Sequence, residues 1–145
     1  VSWAAERTDE FDEWWEGLTD QEQRKVVASV EALQELGPSA GRPLADTVEG
    51  SRHPNMKELR ITQTMRAFFA FDPARTAILL IGGDKAGKTK RFYKKMIPVA
   101  DRIYDRHLRE LAEHAGGKEH QDAKDEKKAV QRAEQRGQKA PRRRR

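Results

Sequence analysis

Strand-forming sequence in this chain is confined to one short stretch. Apart from a weak alternation through Trp3 and Ala5, runs rich in aromatic and β-branched residues fall only between residues 55 and 81, in three pieces. Residues 55–62 alternate, with Met56, Glu58 and Arg60 on one face and Lys57, Leu59 and Ile61 on the other. Residues 65–71 form a second run and 76–81 a third, joined by Asp72-Pro73, which is turn chemistry. Connections this short cannot carry a parallel crossover, so the three runs predict an antiparallel meander.

Helical periodicity occupies the flanks. With Asp9 as the expected N-cap, Phe11, Trp14, Trp15 and Leu18 recur at helical spacing. Thr19 followed by Glu22 is a capping-box signature that opens a second helix, whose Val26, Val30, Leu33 and Leu36 lie on one stripe until Gly37-Pro38 ends it. Residues 39–55 contain Gly41, Pro43, Gly50 and Pro54 without periodicity and read as a surface loop. Ile97-Pro98 introduces a last helix, with Ala100, Ile103, Tyr104, Leu108 and Leu111 on one face, ending near Gly116-Gly117. The expected architecture is α+β. An N-terminal strand and helical hairpin pack on a small antiparallel sheet in the order β-α-α-β-β-β, closed by a C-terminal helix. This gives one domain over 1–117 and a charged, disordered basic tail over 118–145, where apolar residues are too few to offset the entropy of ordering.

Charge follows the same partition. Residues 1–49 hold 4 Lys/Arg against 12 Asp/Glu, whereas residues 50–97 hold 11 against 3. The basic block thus coincides with the sheet, and a sheet lined with cations beside acidic helices predicts one basic concave face suited to phosphates. The chain has no cysteine, which excludes disulfides, thiolate metal sites and a cysteine nucleophile. Apolar runs such as 77–81 fall far short of the roughly 20 residues of a membrane span. The acidic, amphipathic first eighteen residues do not have the form of a secretory signal, so the expected location is cytoplasmic. His107, His114 and His120 lack the spacing of a metal site, and His53 stands alone in a turn.

Gly82-Gly83-Asp84-Lys85-Ala86-Gly87-Lys88-Thr89 fits the phosphate-loop pattern letter for letter. A nucleotide-binding loop of that kind needs a parallel βαβ sheet and a later strand ending in a magnesium-holding Asp. The remaining sequence reads as helix, so no nucleotide cofactor is expected. The segment is read as the glycine-rich end of a hairpin with lysines facing solvent.

Lys57-Glu58-Leu59-Arg60, then Arg66-Ala67-Phe68-Phe69-Ala70-Phe71, then Leu79-Leu80-Ile81 leading to Lys85 and Phe92-Tyr93, occur in an order that resembles a known family. Over about residues 1–112 the chain looks like a RelE/HigB-type toxin of bacterial type II toxin–antitoxin systems, in the phage-derived HigB-like branch of the RelE/ParE superfamily. The resemblance implies a RelE-like fold and a ribosome-dependent endoribonuclease (an mRNA interferase) that blocks translation and needs neither cofactor nor metal. It also implies a cognate antitoxin, helix-turn-helix and HigA-like, with the ribosome and mRNA as further partners and no membrane. Carried over by position, it points to Arg60, Arg66, Lys85 and Tyr93 as catalytic, with Lys57 adjacent. Where familiar members carry paired lysines on the first meander strand, this chain has Met56 and Glu58.

Metal-free cleavage of RNA requires deprotonation of the 2′-hydroxyl, stabilisation of the phosphorane-like transition state and protonation of the leaving 5′-oxygen. Arg60 and Arg66 suit fork-like contact with phosphate oxygens, and Lys85 suits the leaving group. Tyr93 or Glu58 serves as the base, provided the cationic surroundings ionise the first or keep the second charged. Lys57, Lys88, Lys90, Arg91 and Lys94 are the expected RNA-binding cations. Each has a plainer reading: Glu58 and Arg60 form a solvated ion pair, Tyr93 packs its ring on the last helix, and Phe68, Phe69 and Phe71 fill the core. Two other functions share the pattern, a non-enzymatic ParE-like toxin acting on gyrase and a simple RNA-binding module. The tail is expected to add affinity for RNA through its 11 Lys/Arg without choosing sequence. Deleting residues 118–145 should leave a folded protein that binds ribosomes with a weaker salt dependence and cleaves at the same positions; changed positions would show that the tail reads sequence.

Overall fold

In the computed structural model, which describes residues 2–116, Thr8 and not Asp9 is the N-cap of the first helix. Thr8 Oγ1 accepts from the Phe11 amide at 3.1 Å and donates to the Leu80 carbonyl at 2.6 Å. A hydroxyl can do both, whereas a carboxylate at this position could only accept. The order of elements is β1 (Ala5–Arg7), α1 (Asp9–Glu16), α2 (Asp20–Leu36), a 3₁₀ turn over Gly37–Ser39, β2 (Ala45–Thr47), β3 (Lys57–Arg60), β4 (Met65–Phe71), β5 (Ala77–Asp84) and α3 (Thr89–Gly116). The first 104 residues form one compact unit, and residues 105–116, the end of α3, belong to a second. The expected tail over 118–145 lies outside the described residues. Among those described, no helix is long and apolar enough to cross a membrane.

The meander is present as β3-β4-β5, but it is the centre of a five-stranded mixed sheet in the order β1-β5-β4-β3-β2. β1 runs parallel to β5, and β2 pairs antiparallel with β3 inside the stretch read as loop. A three-residue edge strand has no periodicity to read; its partner creates it. Thr19 and Glu22 form the expected capping box. Along α2, Val26 and Leu33 are buried, whereas Leu36 is 52% exposed at the helix end and lies outside the stripe.

β5 decides how helices pack on the sheet. Its register against β4 shifts between Phe68, opposite Ile81, and Phe69, opposite Leu79, leaving Leu80 as an extra residue. Beyond this bulge the alternation is reset, so Gly82 joins Ala77 and Leu79 on one face while Gly83 takes the other. A Cβ at Gly82 would lie 2.5 Å from the Trp14 indole of α1, and its cross-strand partner is the small Ala67. On this face Phe11, Trp15, Val26 and Leu33 meet Leu59, Ala67, Phe69 and Leu79 in the main core. A Cβ at Gly83 would lie 2.8 Å from the Phe92 ring of α3, with the Met96 methyl at 3.6 Å. The phosphate-loop letters therefore serve packing: both leading glycines are inside a strand paired antiparallel to β4.

α3 begins at Thr89, more than two turns before the expected start, and carries Pro98 in its interior. A proline removes one helical hydrogen bond and crowds the preceding turn. Here the apolar stripe Phe92, Met96, Ala100, Ile103 and Tyr104, all buried, outweighs that penalty, with Pro98 on the exposed side. Ser51 Oγ donates to the buried Asp101 carboxylate at 2.5 Å, and Asn55 Nδ2 donates to Tyr104 Oη at 3.1 Å, so the loop before β3 is tied to α3.

Adding a methyl at Gly82 must displace the Trp14 indole. We expect Gly82→Ala to destabilise the protein by about 1–3 kcal/mol, the usual penalty of overpacking, measured by urea denaturation. In a Trp14→Leu background the penalty should fall by at least about half; an equal loss in both backgrounds would show that the indole is not what excludes the side chain.

Candidate active site

On the α3 face of the sheet, the pairing register aligns two rows. Glu58 lies opposite Phe68, and Arg60 lies opposite Arg66, which in turn lies opposite Gly83. Two guanidinium groups directly across a strand pair repel each other. Glu58 offsets that repulsion, with Oε2 3.4 Å from Arg60 Nη1 and Oε1 3.7 Å from Arg66 Nε. Because Gly83 has no side chain, α3 comes close enough for Tyr93, one residue beyond Phe92, to donate its hydroxyl hydrogen to Glu58 Oε1 at 2.5 Å. Phe68 supports the arrangement from below, its ring edge-to-face with that of Tyr93 at 6.2 Å.

The members differ in what they can reach. The Arg66 side chain is 2% exposed; its Nη1 donates to the carbonyls of Thr62 at 2.5 Å and Met65 at 3.1 Å, and its Nε makes no hydrogen bond. Its charge acts on the site through Glu58 and Tyr93 more than through solvent. The Arg60 side chain is 30% exposed and can take a phosphate oxygen directly. Lys85 follows β5, held by its amide donating to the Thr64 carbonyl at 2.8 Å, with its ammonium 6.0 Å from the centre of the Tyr93 ring. Arg60, Arg66 and Lys85 line one cleft of about 570 Å³ together with Thr62, Thr64 and Thr89.

Burial pushes the Tyr93 phenol up from 10.0 to about 12; the hydrogen bond to Glu58 and its charge push the same way, and Arg66 opposes them. The condition under which Tyr93 would be the base is therefore not met: desolvation and the carboxylate outweigh the arginine, and the phenol is a proton donor at neutral pH.

Of the residues singled out in the sequence, Glu58, Arg60, Arg66, Lys85 and Tyr93 come together. Lys57 does not. Its strand position turns it to the other face, where Nζ donates to the carbonyls of Pro38 and Ala40 at 3.0 and 2.9 Å beside the 3₁₀ turn that follows α2. Lys88, Lys90, Arg91 and Lys94 are exposed on the turn and first turns of α3. His53 packs edge-to-face on Tyr104 at 4.8 Å, apart from this cluster. Phe68 and Phe69 are fully buried. The Thr62-Gln63-Thr64 turn went unread as part of the site, although it supplies the carbonyl that aims Arg66; its signal was turn chemistry, with the Thr62 hydroxyl accepting the Met65 amide at 2.9 Å. Among the described residues no three His, Asp or Glu side chains converge to hold a metal ion.

Residues 13–105 match the family described as phage derived protein Gp49-like (DUF891), and the chain belongs to that family. Among its relatives are the candidate toxins HigB2 and HigB3 of Mycobacterium tuberculosis. HigB2 is 45% identical over 112 residues, covering 74% of this chain and 55% of HigB2, so the chain spans little more than half of that relative. HigB3 is 45% identical over 109 residues, covering 74% of this chain and 94% of HigB3. Among solved structures, the toxin–antitoxin complex RelBE2 of Mycobacterium tuberculosis aligns with a TM-score of 0.47 at 15% identity over 58% of this chain and 99% of that one. The RelB-RelE complex of Methanococcus jannaschii aligns with a TM-score of 0.46 at 13% identity over 59% and 96%.

A phenol that holds its proton more tightly when folded contributes stability that is complete below the ordinary value of 10.0 and is lost as pH rises through the folded value of about 12. Stability by chemical denaturation should therefore fall across that window. Tyr93→Phe should flatten the fall without abolishing it, because burial also raises Tyr104. Tyrosinate absorbance should show that Glu58→Gln lowers the Tyr93 midpoint without returning it to 10.0. A Tyr93 midpoint at or below 10.0 in the unaltered protein would contradict the geometry described.

Proposed function

We propose that the chain is the toxin of a type II toxin–antitoxin pair and a ribosome-dependent endoribonuclease that cleaves mRNA by attack of the RNA 2′-hydroxyl on the adjacent phosphorus. The observation that carries this reading is the buried Glu58 carboxylate accepting from Tyr93 at 2.5 Å between two arginines, on the side of the sheet where the exposed cations gather. A surface that only binds RNA or protein has no need to bury a carboxylate beside a half-buried phenol.

In this reading Tyr93 and Glu58 act as a relay. The 2′-hydroxyl gives its proton to the Tyr93 oxygen as the phenol passes its own to Glu58, so a tyrosine that never ionises serves as the contact and the carboxylate behind it as the base. The 2′-oxygen then bonds to phosphorus, the bond from phosphorus to the 5′-oxygen breaks, and the products are a 2′,3′-cyclic phosphate and a 5′-hydroxyl that takes its proton from Lys85. Arg60 faces the charge that develops on the phosphorane oxygens, and Arg66 positions Glu58 and Tyr93. The chemistry asks nothing of a metal ion. The partners of this reading are the ribosome, the mRNA and a cognate antitoxin, helix-turn-helix and HigA-like, that covers the basic face, and the compartment is the cytoplasm.

Glu58→Gln and Tyr93→Phe should each slow cleavage on programmed ribosomes by about 10²- to 10⁴-fold, and the double variant should be little worse than the slower single one, because the two groups act as a unit. A chelator selective for transition metals should leave the rate unchanged. Tyr93→Phe keeps the ring packing, so its folding serves as the control. Wild-type cleavage in both single variants would sink the relay, and no cleavage by the unaltered protein, with gyrase inhibited instead, would favour the binding toxin.

A further inference from the structure

The relay uses the cations of the main cleft and leaves one of its walls without a role. That wall is the turn over residues 62–64, between β3 and β4, which lines the cleft together with Arg60, Arg66 and Lys85. The amides of Ile61 and Thr62 donate to the Met65 carbonyl at 3.1 and 3.4 Å, and the Thr62 hydroxyl accepts the Thr64 and Met65 amides at 3.3 and 2.9 Å. Outward bonds then tie the turn to the site on both sides of Gln63. The Thr62 carbonyl accepts from Arg66 Nη1 at 2.5 Å, and the Thr64 carbonyl accepts the Lys85 amide at 2.8 Å. The backbone at Gln63 is therefore fixed relative to two cations of the relay. Its side chain is exposed, lines the cleft and makes no hydrogen bond among the described residues. The turn asks nothing of that amide, because Thr62 and the backbone supply all the bonds that close it.

Pro43 adds an apolar ledge to the same cleft. Ala45 lies opposite Leu59 and the Arg60 amide donates to the Leu44 carbonyl at 2.8 Å, so the next step of the β2–β3 pairing sets Pro43 level with Ile61, which enters the turn. Pro43 is exposed, Ile61 is half-buried, and both line the cleft. Cations hold the phosphate of any nucleotide alike. An exposed ring and an uncommitted carboxamide do nothing for a phosphate, but they match the face and the edge of a nucleobase. We propose that Gln63 is a specificity residue that reads the edge of the nucleobase next to the cleaved phosphate, while Pro43 carries the face of that nucleobase. A carboxamide offers one donor and one acceptor side by side. Adenine presents their complement at N6 and N7, the pairing through which Gln makes two hydrogen bonds to one nucleobase, so adenine is the expected choice. The inference rests on the RNA reading of the main site and supplies a part of it that the relay residues lack, contact with a nucleobase.

The full-length protein would be given programmed ribosomes whose mRNAs differ only in the nucleobases flanking the cleaved bond, with kcat/KM read for each. Adenine at one of the two positions should be favoured by about tenfold or more, the discrimination of one bidentate contact. Gln63→Met keeps the length of the side chain without its amide and should erase the preference. Gln63→Arg should move it to guanine, whose O6 and N7 suit a guanidinium. A turn that only shapes the cleft would slow all four substrates by the same factor in both variants. That uniform loss, a preference unchanged in both variants, or a wild type that favours another nucleobase or none would each overturn the assignment, and with cleavage intact the relay would stand. If the unaltered protein does not cleave, the relay fails and the subsite is judged by binding. The ¹⁵N resonances of the Gln63 side-chain amide, identified by their loss in Gln63→Met, should then shift saturably with a 2′-O-methyl oligoadenylate and not with the corresponding oligouridylate. Equal shifts with the two, or none with either, would overturn the subsite as well.

Discussion

The two glycines at the end of β5 set the distance between the sheet and the helices on both of its sides. Gly82 admits the Trp14 indole and Gly83 admits the Phe92 ring, each in the space where a Cβ would stand. Everything at the candidate site follows from the second of these. If α3 stood off by the width of a side chain, Tyr93 could not reach Glu58, and the Glu58 carboxylate would have only arginines for company. The bulge at Leu80 makes the pair of glycines work, because it turns one to each layer, and Thr8 secures it by donating to the Leu80 carbonyl while capping α1.

Burying a carboxylate and a guanidinium together is costly unless their remaining atoms are satisfied. Here Arg66 places Nη1 on the carbonyls of the turn at residues 62–65 and Glu58 divides its two oxygens between Tyr93 and Arg60, while Arg66 Nε has only the ionic contact with Glu58 at 3.7 Å. The cluster holds one negative and two positive charges on neighbouring strands, so the site keeps a net positive charge that an incoming phosphate can neutralise. In the relay proposed above, Glu58 is the base, and the phenol that stands between it and substrate keeps its proton.

Much of this was legible in the chain itself. The Thr19–Glu22 capping box, the meander and the alternation that sets Glu58 and Arg60 against Lys57 all follow from local rules, since hydrogen-bonding reach and pleat period do not depend on distant residues. The cations of residues 50–97 are instead divided, with Lys57, Arg60 and Arg66 in strands and Lys90, Arg91, Lys94 and Lys95 in α3. The relation between Arg60 and Arg66 was readable too, because a short connection fixes the register of a hairpin.

Other features depend on partners far along the chain. β2 exists because β3 lies beside it, α3 runs through Pro98 because its apolar stripe covers the sheet, and Tyr93 holds its proton more tightly because packing desolvates the phenol and Glu58, 35 residues earlier, accepts its hydrogen. The phosphate-loop pattern shows the division most plainly. The letters Gly82 to Thr89 are the same in either reading, and only the antiparallel pairing with β4 and the rings of Trp14 and Phe92 decide that the glycines make room for side chains and not for phosphate. Sequence alone determined which residues carry charge and which segments could form a sheet, because those are properties of each residue and its near neighbours. Tertiary structure decided which charges are buried together and which proton is held, because desolvation and contact across the sheet arise only when segments distant in the chain are packed against one another.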